Sequence, residues 1–503
     1  MFRLSQKFLQ KSPKTKIAVI GAGPSGCSVL HAFNEKRNHN NDYEITCFEK
    51  QHNIGGMWNL SNYETGNVNF SSALGENVHS SMYKYLWSNA PINCIQFPDF
   101  SFRDFYQHDL PSFVPREVIE KYLRARYEKD EILKKIEFGT AVRWIDYDEK
   151  TGLFSIEVEK LDSYSKITYQ QRDDSEFKTK QFFDYVFICS GHYHNPNMIQ
   201  LHGHPEKFSG QILHSSQYRD PNHFKNKRVV TIGSSYSAED IATQIIKFGG
   251  EKVFLSARTK RRDDAAWNFY QMTGYEDKME KMPMIASVNG QDENNSVVFE
   301  DGRIEENIDA IIVCTGFNHY YPFLADNLKL KSRDALYPKK LYKGIFWQDN
   351  PKLMYIGAPH TIFTFPLFEI QAAYSRDAII RKDVMLQNSN SNSAKNRETD
   401  IAKWLQKAKI PDPTAAIFFQ AEYLKNLLEE TDYYDIDVDL YAENYYEFYN
   451  NKMNNFMNFR EMSLIDPSTG DRSPGLGRRF MECFEDTAED FVSKYGRPVV
   501  KSD

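Results

Sequence analysis

The chain lacks any long hydrophobic run. None of its 503 residues belongs to an apolar stretch near the ~18–20 residues that a membrane-crossing helix needs. Its six cysteines, at positions 27, 47, 94, 189, 314 and 483, form no CxxC pair, so a zinc site or dithiol centre has no sequence support. The net charge is −7 and the body of the chain has no basic tract. This excludes nucleic acid as the expected partner.

A single hydrophobic core rarely supports a chain of this length, so two or more domains are expected. The first sixteen residues carry five basic side chains and no acidic one. Two interpretations of this segment remain open, a solvated basic tail and a short mitochondrial presequence. The absence of disulfide spacing suits a reducing compartment. We therefore expect a soluble, cytoplasmic protein, with a mitochondrial location as the alternative.

Apolar strand patterns alternate with helical patterns, which predicts an α/β fold with parallel sheets. Residues 16–20 read as a buried strand, 21–26 as a turn, 27–36 as a helix and 43–48 as the next strand. The same order returns about 200 residues later, with strand 229–232, turn 233–237, helix 238–248 and strand 253–257. The chain is therefore predicted to contain two copies of one nucleotide-binding unit.

Two further strands end in similar residues, Cys189-Ser190-Gly191 and Cys314-Thr315-Gly316. They lie where the chain is expected to cross between a first domain and an inserted second one. Residues 162–180 are interpreted as a hairpin with a solvated tip, and residues 387–396 as an exposed loop. The predicted domains are a basic tail (1–15), a first nucleotide-binding domain in two parts (16–190 and 316–445), a second nucleotide-binding domain inserted into it (191–315) and a C-terminal helical cover (446–503).

The first phosphate cradle is the sequence Gly21-Ala22-Gly23-Pro24-Ser25-Gly26, between a strand and a helix. In such a motif the first glycine permits the tight turn, the second permits close approach of a pyrophosphate, and the third permits close packing of helix on strand. The helix N-terminus offers free N–H groups to the phosphates. Glu49 ends the following strand, where it is expected to bind ribose hydroxyls. Together these features predict a dinucleotide site.

The second cradle, Gly233-Ser234-Ser235-Tyr236-Ser237-Ala238, departs from the three-glycine pattern. Ser234 replaces the second glycine and Ala238 the third. The next strand ends in Arg258, followed by Thr259 and three basic residues, where the first unit has an acid. A cation at this position pairs with the 2′-phosphate of NADP(H), whereas a carboxylate repels it. The sequence therefore predicts NADPH in preference to NADH, with Arg258 as the contact.

A fingerprint just before the second cradle indicates a family. Phe208, Gly210, His214 and Tyr218 match every fixed position of the FxGxxxHxxx(W/Y/F) pattern, which resembles the class B flavin monooxygenases. The segments 55–58 (GGMW), 97–100 (FPDF), 79–89 and 233–240 extend the likeness to the bacterial trimethylamine monooxygenases. The resemblance implies two nested Rossmann-like domains that bind FAD and NADPH, with the NADPH domain inserted into the FAD domain. His214 is expected to position the interdomain link.

The implied reaction is the oxygenation of the nitrogen or sulfur of a small soft nucleophile, such as trimethylamine or a thioether. In this family NADPH reduces FAD, the reduced flavin adds dioxygen to give a C4a-hydroperoxyflavin, and the substrate attacks the distal oxygen. The protein's tasks are to exclude water and to hold the two cofactors. The alternatives are an uncoupled NADPH oxidase that releases hydrogen peroxide and a Baeyer–Villiger-type monooxygenase. Whether the chain forms a homodimer is left open.

The resemblance also implies roles for individual residues. Asn89 is the first choice for a catalytic residue, with a turn before Pro91 as the alternative interpretation. Tyr236 is expected over the flavin, and Trp87 beside the nicotinamide or in the core. Besides the two cradles, Glu49 and Arg258, the implied cofactor contacts are Ser25, Gln51, Met57, Trp58, His79, Val142 and Gln371 on the FAD side, and Ser235, Ser237, Thr259 and Arg460 on the NADP side.

The substrate region departs from the bacterial enzymes. Residues 357–363 lack the acidic and Trp side chains expected there, and Glu369 and Ala373 replace the expected Asp and Trp. A carboxylate attracts an ammonium ion, and aromatic faces hold methylated nitrogen. Glu369 and Phe363 are the candidates to replace the missing groups. The physiological substrate is therefore left open.

Overall fold

The computed structural model describes residues 14–35, 43–59, 81–129, 131–161, 178–203, 207–258, 277–289, 294–331, 335–386, 391–410, 412–455 and 458–499. Its α-helices are α1 (Pro24–Glu35), α2 (Phe102–Tyr106), α3 (Arg116–Lys129), α4 (Tyr236–Lys247), α5 (Thr364–Ile380), α6 (Ser391–Lys407), α7 (Pro413–Leu428), α8 (Val438–Asn454) and α9 (Ala488–Tyr495). Its strands are β1 (Thr15–Ile20), β2 (Tyr43–Phe48), β3 (His108–Asp109), β4 (Ile136–Glu137), β5 (Thr140–Asp148), β6 (Leu153–Lys160), β7 (Lys178–Phe183), β8 (Tyr185–Ile188), β9 (Gln211–His214), β10 (Arg228–Ile232), β11 (Lys252–Ser256), β12 (Met279–Met282), β13 (Ile285–Asn289), β14 (Ser296–Phe299), β15 (Ile304–Glu305), β16 (Ala310–Val313), β17 (Leu341–Tyr342), β18 (Phe346–Trp347), β19 (Leu353–Tyr355) and β20 (Arg497–Pro498).

The larger sheet has seven strands in the order β17-β18-β19-β8-β1-β2-β4. Strand β1 pairs in parallel with β2 and β8, and β8 pairs in parallel with β19. Residues 17–20 of β1 are buried on both faces, which explains their unbroken apolar run. Strands from both sides of the inserted segment therefore build one sheet.

The second sheet has five parallel strands in the order β12-β11-β10-β16-β9. All five come from residues 211–313. Helix α4 packs on it with Ala238, Ile241, Ala242 and Ile245 buried, the i, i+3, i+4, i+7 spacing of one helix face. The predicted α/β fold with two nested dinucleotide-binding domains is confirmed, while the individual domain boundaries stay predictions.

Helices α1, α5, α7 and α8 share the largest core cluster with one face of the seven-stranded sheet. The antiparallel sheet β5-β6-β7 packs on the other face, and β6 and β7 form the antiparallel pair of the predicted hairpin. The tip of that hairpin, residues 162–177, lies outside the described residues. Near the C-terminus, β20 pairs with β3 and thereby joins the end of the chain to the FAD-side domain.

Two sequence interpretations need correction. The predicted exposed loop 387–396 is wrong from Ser391 onward, because helix α6 begins there and buries Ile401 and Trp404 in the core. The predicted boundary at residue 445 falls inside helix α8. The segment after α8 is only partly helical, since it runs through short 3₁₀ turns to α9. Over the described ranges, no helix is long and apolar enough to span a bilayer.

Candidate active site

The first cradle joins β1 to α1, with Gly21 in a left-handed conformation (φ 101°). A Cβ at Gly26 would lie 1.9 Å from the Gly21 carbonyl oxygen, a distance that no side chain tolerates. A Cβ at Gly23 would meet nothing nearer than 3.6 Å, at the Gly56 Cα. Packing within the protein therefore requires Gly26, whereas the space beside Gly23 is left for a ligand. This arrangement fits the pyrophosphate of a dinucleotide.

Glu49 directly follows β2 beside this cradle. Its Oε2 accepts from the Ala22 N–H at 2.7 Å and its Oε1 from the Gln51 N–H at 2.8 Å. Burial raises the pKa of the Glu49 carboxyl above its ordinary value, although these two N–H groups oppose the rise. The neighbouring Lys50 is half-buried by solvent exposure, and its removal from water lowers its pKa to about 8 despite the Glu49 charge. Glu49 therefore links the cradle to the strand end where a ribose is expected.

The second cradle joins β10 to α4 in the same way. Gly233 has a φ of 130°, and a Cβ there would lie 2.5 Å from the Cys314 carbonyl oxygen, just as Gly21 faces Cys189. Ala238 occupies the third glycine position and its methyl group is buried. Arg258 follows β11 with an exposed side chain at the cleft. The cation thus stands one residue further from its strand than Glu49 does in the first unit.

Both cradles open into one cleft of about 1140 Å³, larger than the ~300–1,000 Å³ of ordinary ligand pockets. Fourteen predicted positions lie on its lining. They are Gly21, Gly23, Ser25, Glu49, Met57, Trp58, Trp87, Asn89, Val142, Gly233, Ser235, Tyr236, Ser237 and Arg258. The fold therefore brings together residues separated by more than 200 positions in the chain. The volume and the two cradles fit two nucleotide cofactors lying close to each other.

Asn89 is exposed at the cleft, and no described residue is hydrogen-bonded to its side chain. Its amide is available to a ligand. Tyr236 also borders the cleft, and its hydroxyl interacts with that of Tyr445 of α8. Trp87, in contrast, is 1% exposed, and its ring meets the edges of Phe480 and Phe491. That packing favours the core interpretation of Trp87 over a nicotinamide contact.

Four predicted contacts lie off the cleft lining, and two lie outside the described residues. Gly26 packs behind its cradle, and Gln51 is held through its backbone by Glu49. Gln371 accepts from the Gly357 N–H and donates to the Tyr423 hydroxyl, both at 2.8 Å, so it supports the cleft wall from behind. Arg460 pairs with Asp240 at 2.8 Å. His79 and Thr259 belong to the undescribed positions.

The cleft also includes residues that the sequence did not single out. These are Lys50, Arg143, His192, Tyr193, His194 and Tyr445. His192, Tyr193 and His194 follow the crossover after β8, whose Cys-Ser-Gly ending was the only available signal. Burial lowers the pKa of His194 to about 4, so this ring is neutral at physiological pH. Tyr445 comes from α8, more than 200 residues from its partner Tyr236, and had no local signal.

The proposed substitutes for the missing substrate groups are not on the cleft lining. Glu369 is 2% exposed, accepts from the Tyr433 hydroxyl at 2.5 Å and lies 3.4 Å from Arg126. The Glu369 carboxylate is therefore paired inside the protein and does not face the cleft. Phe363 is fully buried against Tyr441 and Tyr445. The residues of this region that do reach the cleft are Gly357, His360, Thr361, Ile362, Thr364 and Phe368.

His214 lies at the hinge between the sheets. Its Nε2 is 3.0 Å from the Gly316 carbonyl, and its Nδ1 accepts from the Ser216 N–H at 3.1 Å. Burial lowers the pKa of His214 to about 4, which keeps the ring neutral with the proton on Nε2. This geometry supports the predicted positioning role of the fingerprint histidine.

Comparisons with known proteins agree with this geometry. The model of the family described as "Flavin-binding monooxygenase-like" matches residues 14–275 and 278–430. The chain belongs to this family. It is 38% identical over 482 residues to the trimethylamine monooxygenase of Methylocella silvestris, covering 95% of this chain and 98% of that protein. It is 36% identical to the trimethylamine monooxygenase of Pelagibacter ubique, with 95% and 100% covered.

Among solved structures, Tmm from Pelagibacter sp. strain HTCC7211 superimposes with a TM-score of 0.82 at 34% identity, covering 95% of this chain and 100% of that one. The S-allyl-L-cysteine S-oxygenase from Allium sativum gives 0.69 at 25% identity, with 90% and 95% covered. Family membership confirms the predicted enzyme class, an FAD-dependent monooxygenase. It also confirms the predicted cofactors, FAD and NADPH.

Proposed function

We propose that this flavin monooxygenase uses NADPH and dioxygen to oxygenate the nitrogen or sulfur of small soft nucleophiles. Tertiary amines such as trimethylamine are the first substrates to test, since two relatives at 38% and 36% identity are trimethylamine monooxygenases. The single observation that carries the proposal is the shared cleft. An FAD cradle, an NADP-type cradle and the free amide of Asn89 border the same space.

The bound cofactors supply the redox chemistry: NADPH provides two electrons, and one oxygen atom of dioxygen reaches the substrate while the other leaves as water. The chain's own residues bind and orient. The two cradles hold the phosphates, and Arg258 selects the 2′-phosphate. Ile356, Ile362 and Phe368 give the cleft an apolar wall that excludes water. The Asn89 amide would donate a hydrogen bond to the reacting group bound in the cleft.

The test measures product, NADPH use and peroxide with a panel of tertiary amines, thioethers, thiols and cyclic ketones. The proposal predicts close to one N- or S-oxide formed for each NADPH consumed. Peroxide formation without any oxide would instead indicate an uncoupled NADPH oxidase. A lactone formed from a cyclic ketone would indicate a Baeyer–Villiger enzyme. Either result would overturn the proposal.

Asn89→Ala removes a side-chain amide that faces the cleft and has no hydrogen-bond partner among the described residues. We expect oxide formation to fall about 100-fold, the effect of losing one preorganised hydrogen-bond donor in an active site. The variant should still bind FAD, because Asn89 does not contact either cradle in the described contacts. Product analysis by mass spectrometry, together with the flavin absorbance, measures both effects.

Asn93→Ala is the matched control. Asn93 is buried four residues away and donates to the Ile465 carbonyl and to Ser473. Its loss should lower the melting temperature and leave the oxide formed per NADPH unchanged. Wild-type oxide formation in Asn89→Ala would remove Asn89 from the mechanism.

We also propose a cytoplasmic location, with a mitochondrial one as the alternative. The cysteines support a reducing compartment, since all six are unpaired and buried, and burial raises the pKa of Cys27, Cys47 and Cys189. Residues 1–13 lie outside the described residues. Cell fractionation of the full chain and of a chain without residues 1–13 separates the two locations, and light scattering on the same preparation tests for a homodimer.

A further inference from the structure

A buried cation from the C-terminal segment lies beneath the second cradle. Lys452 is near the end of α8, and its Nζ lies 2.8 Å from Glu239 Oε2 in the first turn of α4. Both side chains are 4% exposed. Burying two charges costs desolvation energy that their attraction barely repays, so such a pair is weak evidence for stability. The position of the pair therefore suggests a second role.

The same ammonium group lies over an aromatic ring at the cleft. Lys452 Nζ is 3.7 Å from the centroid of the Tyr236 ring. A desolvated ammonium at this distance is attracted strongly by the negative face of the ring. The Tyr236 hydroxyl interacts with the hydroxyl of Tyr445, which lies two helical turns before Lys452 on α8. Helix α8 thus holds Tyr236 at two points, the ring face and the hydroxyl.

A neighbouring cation supports the same interpretation. Arg460 follows α8, pairs with Asp240 of α4 at 2.8 Å and donates to the Ser88 carbonyl at 3.2 Å. Ser88 directly precedes Asn89. Lys452 and Arg460 therefore both contact the start of α4, and Arg460 also contacts the loop that carries Asn89. Together they join the two sides of the cleft on which oxygenation is proposed.

We propose that Lys452 is a positioning residue that fixes the Tyr236 ring at the cleft and thereby sets how much of the consumed NADPH yields oxygenated product. The proposal rests on the monooxygenase function proposed above. The three groups lie on helices about 200 residues apart, and Lys452 does not border the cleft itself. It acts through Tyr236, so its loss should leave the FAD cradle intact.

The decisive variant is Lys452→Met combined with Glu239→Gln. Removing Lys452 alone leaves Glu239 buried without its partner, which destabilises the fold whatever else Lys452 does. The double variant is neutral at both positions, so it separates stability from positioning. Lys452→Arg keeps a cation and should retain wild-type coupling.

Two readouts are needed. One is the oxide formed and the peroxide released per NADPH, which should change about fivefold in the double variant if one cation–π contact is lost. The other is the fluorine NMR resonance of 3-fluorotyrosine placed at position 236, recorded on the FAD-loaded protein without substrate. We expect a shifted or split resonance in the double variant, together with wild-type flavin content and melting temperature.

Lys343 provides a matched control. It lies 2.9 Å from Glu430 and 5.8 Å from the ring centroid of Tyr374, so it also combines an ion pair with a tyrosine ring. None of these three residues borders the cleft. Lys343→Met should lower the melting temperature without changing the fluorine resonance of position 236 or the coupling.

An unchanged resonance in the double variant would overturn the proposal whatever the activity. A changed resonance with unchanged coupling would overturn the link to coupling. If the wild type forms no oxide with any substrate, the proposed function fails separately, while the resonance still decides whether Lys452 positions Tyr236. If the double variant regains both the wild-type melting temperature and the wild-type coupling, the Lys452–Glu239 pair is merely structural. That result would also contradict the inference.

Discussion

The two cradles form the same turn between a strand and a helix, but with different residues. In the first, a glycine at the third position is imposed by the protein itself, because a Cβ at Gly26 would lie 1.9 Å from the Gly21 carbonyl oxygen. In the second, Ala238 occupies that position with its methyl group buried. Both keep one glycine with positive φ, Gly21 and Gly233, at the turn that leaves the strand. The shared turn and the different third position show that the turn is the essential element, and that the closeness of helix and strand varies.

The two units carry opposite charges at the positions where we expect a ribose to bind. Glu49 is the first residue after β2, and Arg258 is the second residue after β11. A carboxylate accepts hydrogen bonds from ribose hydroxyls, and a guanidinium pairs with a 2′-phosphate. We therefore expect cofactor choice to depend on one side chain after the second strand of each unit, and phosphate binding to depend on the turn.

The largest expected effect tests the third position of the cradles. Gly26→Ala should abolish FAD retention, because the new Cβ forces α1 away from β1. Ala238→Gly, the reciprocal change, should retain NADPH-dependent activity and cost only about 1 kcal/mol of stability, the usual penalty of glycine in a helix. Flavin absorbance after desalting and thermal unfolding measure both. Equal flavin loss in the two variants would show that the cradles do not differ in packing.

The second-largest expected effect tests the residues that we expect to contact the two riboses. Arg258→Gln should reduce the preference for NADPH over NADH about 10- to 100-fold, as expected for one lost charge-assisted contact. Glu49→Gln should leave that preference unchanged. Steady-state kcat/KM with both nucleotides gives the ratio. A wild-type preference in Arg258→Gln would assign selection of the 2′-phosphate to another residue.

The smallest effect concerns pH and is confined to the first cradle. Burial lowers the pKa of Lys50 to about 8, so its ammonium form persists below that pH and is lost as the pH rises through it. A negatively charged cofactor should therefore bind less tightly on the alkaline side, by about 2- to 5-fold for a partly solvated pair. Calorimetric titration of flavin-free protein with FAD across this range measures the change. Lys50→Met should flatten the profile, and an unchanged wild-type affinity would exclude Lys50 from FAD binding.

Local signals predicted much of this structure. The bounds of β2 agree with the sequence to the residue, and β1, β10 and α4 differ by only one or two residues at either end, since each combines an apolar run with a glycine turn. The start of α6 was missed because Asn and Ser dominate its first turn and burial of Trp404 comes only later. Tyr445 and Lys452 were missed for another reason. Their roles depend on contacts with α4, about 200 residues away, which no local pattern encodes.

The measurement that tests the central claim most directly is the visible absorbance spectrum of the full chain, after incubation with excess FAD and desalting. If the first cradle holds FAD beside an NADP-binding cradle, the protein retains one flavin per chain, and added NADP⁺ perturbs the flavin spectrum more strongly than the same concentration of NAD⁺. A protein that stays colourless, or a flavin spectrum that NADP⁺ and NAD⁺ perturb equally, would contradict the account.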